Sequence, residues 1–199
     1  MTDQADPALL ADEVGSWPVI ESAVKYQATI VNVREDEIEA PDGERHRRDV
    51  IEHRGAVAVV ALDADDRILL LHQYRHPVAA QLVELPAGLL DTAHEDQLET
   101  AKRELAEEAL LAAERWSELV NVATSPGISD ERVRIYLAEG LSQTDMPDGF
   151  TPHGEEASMT TSWASLDEVV TAIMDQRVCD GLLIAGVLAL YAKRVHTMQ

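Results

Sequence analysis

Three glutamates, Glu104, Glu107 and Glu108, carry the strongest chemical signal in this chain. On a helix they fall at i, i+3 and i+4, so their carboxylates leave from one side. Like charges this close destabilise a helix unless water screens them or a divalent cation neutralises them. The residues alone leave two readings open. One is a solvated charged face. The other is a site for a hard cation such as Mg²⁺, which takes one or two carboxylates, waters and substrate phosphates. Arg103, four residues before Glu107, can pair with it and limit the repulsion. One further group has the right chemistry for an anionic substrate. Arg75 follows an apolar run, where its guanidinium could hold a phosphate or a terminal ribose through two parallel hydrogen bonds; a surface ion pair is the alternative. Glu155 and Glu156 lie in a stretch flanked by Gly and Pro, where the residues alone read as solvated charges. His72, His76 and His94 show no grouping typical of metal ligands.

These side chains need a scaffold to position them. Residues 95–111 contain no Gly or Pro, and Leu98, Ala101, Leu105 and Ala109 recur at three- and four-residue spacing, which predicts a helix with one apolar face. Ala56 to Leu62 (AVAVVAL) is a continuous apolar run of the kind expected from a strand buried on both faces. The polar turn Asp63-Ala64-Asp65-Asp66 and the run Ile68 to Tyr74 complete a predicted hairpin. LVELPAG (82–88) reads as a strand end broken by Pro86 and Gly88. Trp116–Ala123 and Val133–Ala138 are further strands, separated by the turn-rich SPGISDE. Residues 140–157 read as a long loop, followed by a short strand around Trp163 and by helices over 166–174 and 180–196. Upstream, residues 1–22 show little regular pattern and read as a loose arm. ATIVNV and RRDVIEH flank Pro41-Asp42-Gly43 as a predicted pair of antiparallel strands. The expected division is an N-terminal arm and β-rich segment over 1–55, and a mixed α/β layered domain over 56–199.

Composition narrows the function classes. The 199 residues suit one domain with a small appendage. Asp and Glu total 37 against 16 Lys and Arg, a formal net charge of -21. That balance argues against general nucleic-acid binding and against adhesion to an anionic membrane, both of which need a basic surface. An anionic substrate would need a metal or a few local arginines to overcome the repulsion. Cys179 is the only cysteine, which excludes an intramolecular disulfide and fits a reducing, cytoplasmic setting; beside an apolar stretch it is expected to be packed. The acidic start lacks the basic-then-apolar order of a secretory signal.

The stretch from Gly88 to Leu111 resembles the Nudix box, the pattern of Gly, five residues, Glu, seven residues, Arg-Glu, an aliphatic, any residue, Glu-Glu, any residue, Gly, an aliphatic. Gly88 begins it, Glu95 follows, and seven residues lead to Arg103-Glu104-Leu105-Ala106-Glu107-Glu108. There are two departures. Six residues separate Gly88 from Glu95, an insertion that leaves His94 at the nominal Glu position. Leu110 stands where the pattern has its second glycine, which puts the helix terminus in doubt. Gln73-Tyr74-Arg75, Glu84-Leu85-Pro86-Ala87-Gly88, Ser125-Pro126-Gly127 with the following residues to Glu131, and His153-Gly154-Glu155-Glu156 before Met159 resemble the ADP-ribose pyrophosphatase branch.

That resemblance implies an α/β/α sandwich of mixed sheets with a catalytic loop-helix-loop. It implies Mg²⁺-dependent hydrolysis of ADP-ribose to AMP and ribose 5-phosphate, with Mn²⁺ as an alternative ion. By motif match the metal ligands fall on Glu104, Glu108 and the carbonyl of Ala87, with Glu107 as a second choice. The general base falls on Glu156, with Glu155 as its competitor. Arg75, Arg48 and Glu131 are the expected substrate contacts, and Arg103 is expected to fix Glu95 or Glu107. The branch also implies a homodimer whose N-terminal strands help form the adenosine pocket. The alternatives are a hydrolase of another nucleoside-diphosphate sugar, or a Nudix fold that binds without catalysis, for which Leu110 and the altered spacing are the only features.

Overall fold

The computed structural model describes residues 10–90, 95–147, 154 and 158–197. The chain forms two compact units, 1–52 and 53–199. The N-terminal unit is a three-stranded sheet in the order β1 (Val19–Gln27), β2 (Val31–Glu39), β3 (Arg45–His53), the last strand ending just past the unit boundary. The pair around Pro41-Asp42-Gly43 is present as expected, with Gly43 N–H donating to the Ala40 carbonyl at 2.9 Å. β1 was not expected: its first residues, Val19–Ser22, belong to the segment read as a loose arm, and they pair antiparallel with β2, Ser22 opposite Asp36. Its apolar residues do not alternate cleanly with polar ones, so the sequence carries no two-residue period to reveal it.

The larger unit is built on β4 (Ala56–Leu62), all seven residues of which are buried. Its residues divide between two cores. Ala56, Ala58, Val60 and Leu62 face one cluster, while Val57, Val59 and Ala61 face the other, as the alternation of a strand requires. β4 lies in a seven-stranded sheet with β5 (Arg67–Arg75), β6 (Ala80–Glu84), β7 (Ala87–Leu89), β8 (Leu111–Ala123), β9 (Arg132–Gln143) and β10 (Thr160–Ser165), along the path β10-β5-β4-β9-β8. β6 pairs with β5 and β7 with β4. The β4–β9 pair is parallel and its neighbours are antiparallel, so the sheet is mixed.

Helix α1 (Gln97–Ala109) covers one face through Ala101 and Leu105; α2 (Leu166–Met174) and α3 (Gly181–Thr197) cover the other through Leu166, Val169, Leu183, Val187 and Leu190. This is the expected α/β/α sandwich. No helix among the described residues is long and apolar enough to cross a membrane.

Three local readings are corrected. β8 starts at Leu111, immediately after α1, and β9 runs to Gln143, into the stretch read as loop. The two pair from Leu111–Gln143 to Ala123–Arg132, so backbone pairing extends strand structure through residues with poor strand propensity. Cys179 is exposed rather than packed: it precedes α3, whose buried stripe begins only at Leu183.

Gly186 sets how closely α3 approaches the sheet. A Cβ there would lie 2.9 Å from Val60 Cγ2, 3.1 Å from Leu85 Cδ1 and 3.2 Å from Ile135 Cγ2. Gly186→Val should therefore lower the unfolding free energy by ~1–3 kcal/mol, the usual cost of overpacking. Urea denaturation followed by circular dichroism checks this; an unchanged midpoint would mean that α3 shifts freely on the sheet.

Candidate active site

The site begins with how β7 is held. Pro86 stops β6, and its carbonyl accepts a 2.8 Å hydrogen bond from Val59 N–H. The next residues pair with β4 as Ala58–Ala87 and Val57–Gly88. Because Val59 and Pro86 form a hydrogen-bonded pair, Ala58 and Ala87 form the non-bonded pair that follows. Both backbone groups of Ala87 therefore point away from β4. On that open side the Ala87 N–H donates to Glu108 Oε2 at 2.9 Å. The Ala87 carbonyl leaves on the same edge.

Gly88 lies opposite Val57, whose side chain belongs to the core under α1, so position 88 faces α1 as well. A Cβ at Gly88 would lie 1.9 Å from Glu104 Cδ and 2.0 Å from Oε1. Only a residue without a side chain lets the Glu104 carboxylate rest on the strand. β7 and α1 thus bring Ala87, Gly88, Glu104 and Glu108 together.

Helix α1 is ordered at both ends. Asp96 caps its start, its side chain accepting from Leu98 N–H at 2.9 Å. Its end falls at Leu110, which takes the left-handed conformation at φ 55° and donates its N–H back to the Ala106 carbonyl. The helix therefore stops where a glycine would stop it, with a backbone cost of about 1–2 kcal/mol for a residue bearing a Cβ.

Arg103 organises the acidic face. Its guanidinium reaches Glu104 Oε1 at 2.8 Å, Glu107 Oε2 at 3.0 Å and Glu95 Oε2 at 3.4 Å. Glu95 also accepts from the buried Thr100 hydroxyl at 3.1 Å. Burial by itself disfavours the Arg103 charge, but Glu104, Glu95 and Glu107 outweigh it and hold the pKa above the ordinary guanidinium value. The sequence reading offered Glu95 or Glu107 as the partner of Arg103; the structure provides both and adds Glu104.

The donor set is all oxygen, as a hard divalent ion requires. The bare backbone at Gly88 admits the Glu104 carboxylate, and the outward edge of Ala87 meets Glu108, so the oxygen donors such an ion needs stand together beside α1. Among the described residues, however, no three Asp, Glu, His or Cys side chains already converge as a metal cage. Arg103 draws Glu104 and Glu107 one way, and the Ala87 N–H holds Glu108 another.

The substrate-contact candidates separate. Arg75 is close to the helix, but its fork is closed on Glu84: Nε reaches Oε1 at 2.9 Å and Nη2 reaches Oε2 at 2.7 Å. The hydrogen bonds that Arg75 donates to Glu84 are the main cause of its raised pKa, opposed by burial and assisted by the charges of Glu84, Glu108 and Asp180. A two-pronged grip on a phosphate is thus replaced by a grip on Glu84. Glu84 is a partner that sequence reasoning missed, although it begins the ELPAG motif. Glu131 lies 3.1 Å from His53 Nδ1 and accepts from the Thr124 hydroxyl, while Asp130 accepts from His53 N–H at 2.8 Å. These contacts anchor the SPGISDE loop to the start of the larger unit. Arg48 is on β3 of the N-terminal unit, exposed, with Nη1 donating to the Arg47 carbonyl at 2.8 Å. His94, Glu155 and Glu156 lie outside the described residues. His72 hydrogen-bonds the Ser162 hydroxyl at 2.8 Å, a structural contact.

Comparison with known proteins decides what this helix and strand belong to. The family model for the NUDIX domain matches residues 52–180. The chain belongs to the Nudix family. It is 43% identical over 176 residues, 88% of this chain and 84% of the relative, to an ADP-ribose pyrophosphatase from Mycobacterium tuberculosis. It is also 35% identical over 162 residues to a methanol dehydrogenase activator from Bacillus methanolicus, covering 81% of this chain and 85% of that one. The crystal structure of an ADP compounds hydrolase superposes with a TM-score of 0.77 over 94% of this chain and 98% of that chain; at 17% identity this shows the shared fold. Hydrolases of the Nudix family generally need a divalent metal ion.

Gly88→Ala tests the contact between strand and helix. The Glu104 carboxylate is the flexible end of a side chain and can swing aside, so the unfolding free energy should change by less than ~1 kcal/mol. Displacing that carboxylate should weaken divalent-cation affinity by ~10–100-fold, the usual effect of disturbing groups that orient a metal ligand. Titration calorimetry with Mg²⁺ or Mn²⁺, alongside thermal denaturation, reads both; unchanged affinity would detach Glu104 from metal binding.

Proposed function

We propose that this protein is a Mg²⁺-dependent hydrolase that cleaves the diphosphate of ADP-ribose to AMP and ribose 5-phosphate. The observation that carries the reading is the junction of β7 and α1, where Glu104 and Glu108 meet Ala87 and Gly88. It occurs in a chain 43% identical to an ADP-ribose pyrophosphatase. Glu104, Glu108 and the Ala87 carbonyl would hold the ion, with Glu107 as a further carboxylate; Mn²⁺ satisfies the same oxygen set. When bound, the ion neutralises diphosphate oxygens and lowers the pKa of the attacking water.

The chain's own residues supply the rest. Arg103 keeps the acidic face assembled and sets where Glu104 and Glu107 point. Arg75, with Nε and Nη2 on Glu84, has Nη1 without a partner among the described residues. The N–H groups of Nη1 can donate to a diphosphate oxygen, while Glu84 keeps the guanidinium from swinging away. Glu156 takes the proton of the attacking water, with Glu155 as the competing position; the support is the motif match before Met159. Arg48 and Glu131 are weaker substrate contacts, since Glu131 already holds His53 and Thr124.

The assembly we propose is a homodimer. The three-stranded N-terminal sheet is too small to hide its own apolar residues, and Trp17, Ile20, Val24 and Tyr26 are all exposed. Such a patch is the mark of an interaction surface, and a second copy would cover it and help form the adenosine pocket. The single cysteine, Cys179, supports a reducing, cytoplasmic setting, and the net charge of -21 supports a protein that binds neither nucleic acid nor membranes.

AMP formation from ADP-ribose, with Mg²⁺ and with the metal chelated, tests the activity; parallel assays with ADP-glucose, GDP-mannose and NADH test the substrate. Glu104→Gln and Glu108→Gln should weaken metal affinity and activity together. Glu156→Gln should leave metal affinity nearly intact and lower kcat by about 10²–10⁴-fold, the worth of a positioned general base. A large loss in Glu155→Gln with a near-normal Glu156→Gln would move the base by one residue.

Light scattering should give twice the chain mass at micromolar concentration. A fully active monomer would rule out the shared pocket.

A further inference from the structure

One ring nitrogen in the larger unit is claimed by two partners. His53 is the first residue of that unit, and its side chain is only 13% exposed. Its Nδ1 accepts from Gly55 N–H at 3.1 Å, and Glu131 Oε1 lies 3.1 Å from the same atom. The two contacts demand opposite states of that nitrogen. Accepting from an N–H uses the Nδ1 lone pair, whereas bonding to a carboxylate oxygen requires a hydrogen on Nδ1. One proton therefore decides which partner is satisfied, and an imidazole ordinarily changes its charge between about pH 5 and 8.

The backbone on both sides is fixed without the ring. Gly55 stands at φ +82°, and a Cβ there would meet the Arg132 carbonyl at 3.1 Å. Its own carbonyl accepts from Leu90 N–H at 3.1 Å, so its N–H stays aimed at His53. In the loop before Glu131, Ser129 N–H donates to the Ser125 carbonyl at 2.9 Å, and Glu131 N–H donates to Ser129 Oγ at 3.2 Å. Asp130 Oδ1 accepts from the His53 backbone N–H at 2.8 Å. What the ring can move is the Glu131 carboxylate, whose other oxygen accepts from the Thr124 hydroxyl. The other charged residues flanking His53 and Glu131 in the chain are Asp130, Glu52, paired with Arg34 at 3.3 Å, and the exposed Arg54 and Arg132.

We propose that His53 is a positioning residue for Glu131. With hydrogen on Nδ1 the ring donates to Oε1, and with Thr124 it fixes the carboxylate as an acceptor for a hydroxyl or amino donor of the substrate. Without that hydrogen the Nδ1 lone pair takes the Gly55 N–H, repels the carboxylate facing it, and leaves Glu131 without its orientation. The proposal rests on the hydrolase reading and on Glu131 as a substrate contact, and it adds the group that prepares that contact. Substrate affinity then falls as the pH rises through the imidazole range. The carboxylates of α1 share none of these residues, so metal affinity does not follow.

The test is steady-state kinetics on ADP-ribose at saturating Mg²⁺, over the imidazole range of about pH 5 to 8, for the wild type, His53→Asn and His53→Leu. Asparagine places an amide nitrogen close to the position of Nδ1 and donates at every pH; leucine fills the space and donates at none. Wild-type KM should rise about 10-fold across the range, the scale of a lost hydrogen bond to a charged group. KM should stay low throughout in His53→Asn and high throughout in His53→Leu. The kcat profiles of all three should agree within about threefold, as for an interaction shared by ground and transition states. A KM rise in His53→Asn equal to that of the wild type would overturn the proposal, as would a change confined to kcat. NMR of protein labelled with ¹⁵N-histidine reads the ring directly, His53 being the signal that His53→Asn lacks. Nδ1 should carry hydrogen at the acid end and none at the alkaline end, with Nε2 keeping its own. Hydrogen on Nδ1 at both ends would mean that Glu131 always holds the ring, and would overturn the proposal. A wild type that cleaves no ADP-ribose would sink the hydrolase reading and the role of Glu131 with it. An active wild type whose KM ignores pH would sink this proposal alone.

Discussion

The pairing of β7 with β4 is the constraint on which the site depends. Three residues of strand, Ala87 to Leu89, lie in register with Ala58, Val57 and Ala56. Moving that register by one residue would exchange the faces of Ala87 and Gly88. Glu104 would then meet a methyl group where it now meets bare backbone, and the Ala87 N–H would turn from Glu108 toward β4. Pro86 contributes by ending β6 while its carbonyl still bonds to Val59. A strand buried on both faces is rigid, so the edge it presents to α1 is a fixed platform for flexible carboxylates.

Electrostatics works against this platform and is balanced locally. In a chain of net charge -21, Glu95, Glu104, Glu107 and Glu108 cluster on or beside one short helix. Arg103 touches three of the four, and Ala87 N–H holds the other. The second cation nearby, Arg75, is committed to Glu84. Local positive charge thus serves mainly to shape carboxylates, with only the Nη1 end of Arg75 left to meet an anion. A diphosphate entering such a place needs a divalent cation, which agrees with the general requirement of the Nudix family.

The end of α1 shows how tertiary demands override local preference. Leu110 adopts a left-handed backbone that leucine avoids, because β8 must begin at Leu111 to pair with Gln143 and because Thr144 N–H bonds to the Leu110 carbonyl at 2.9 Å. Two strands of twelve and thirteen residues repay the local strain with a long ladder of backbone hydrogen bonds.

Much of this was legible in the sequence. The uninterrupted apolar run Ala56–Leu62 announced the central strand, the spacing of Leu98, Ala101 and Leu105 announced α1, and the order of glutamates around Arg103 announced the family. These signals are local, since periodicity and i, i+4 spacing are fixed by the geometry of one helix or strand. What the sequence could not contain was which distant residues meet. Nothing near Arg75 says that its fork closes on Glu84, and nothing near Glu131 says that it holds His53. The carboxylates before Met159 were visible as a motif, but their place relative to α1 is not a property of their neighbours in the chain. Gly88 was read as the start of a motif; only the folded register makes it the one position where Glu104 can rest on backbone. Residue types determined the chemistry available, whereas the packing of β7 between β4 and α1 decided which atoms share the space, because contacts between elements depend on register and face across the whole sheet.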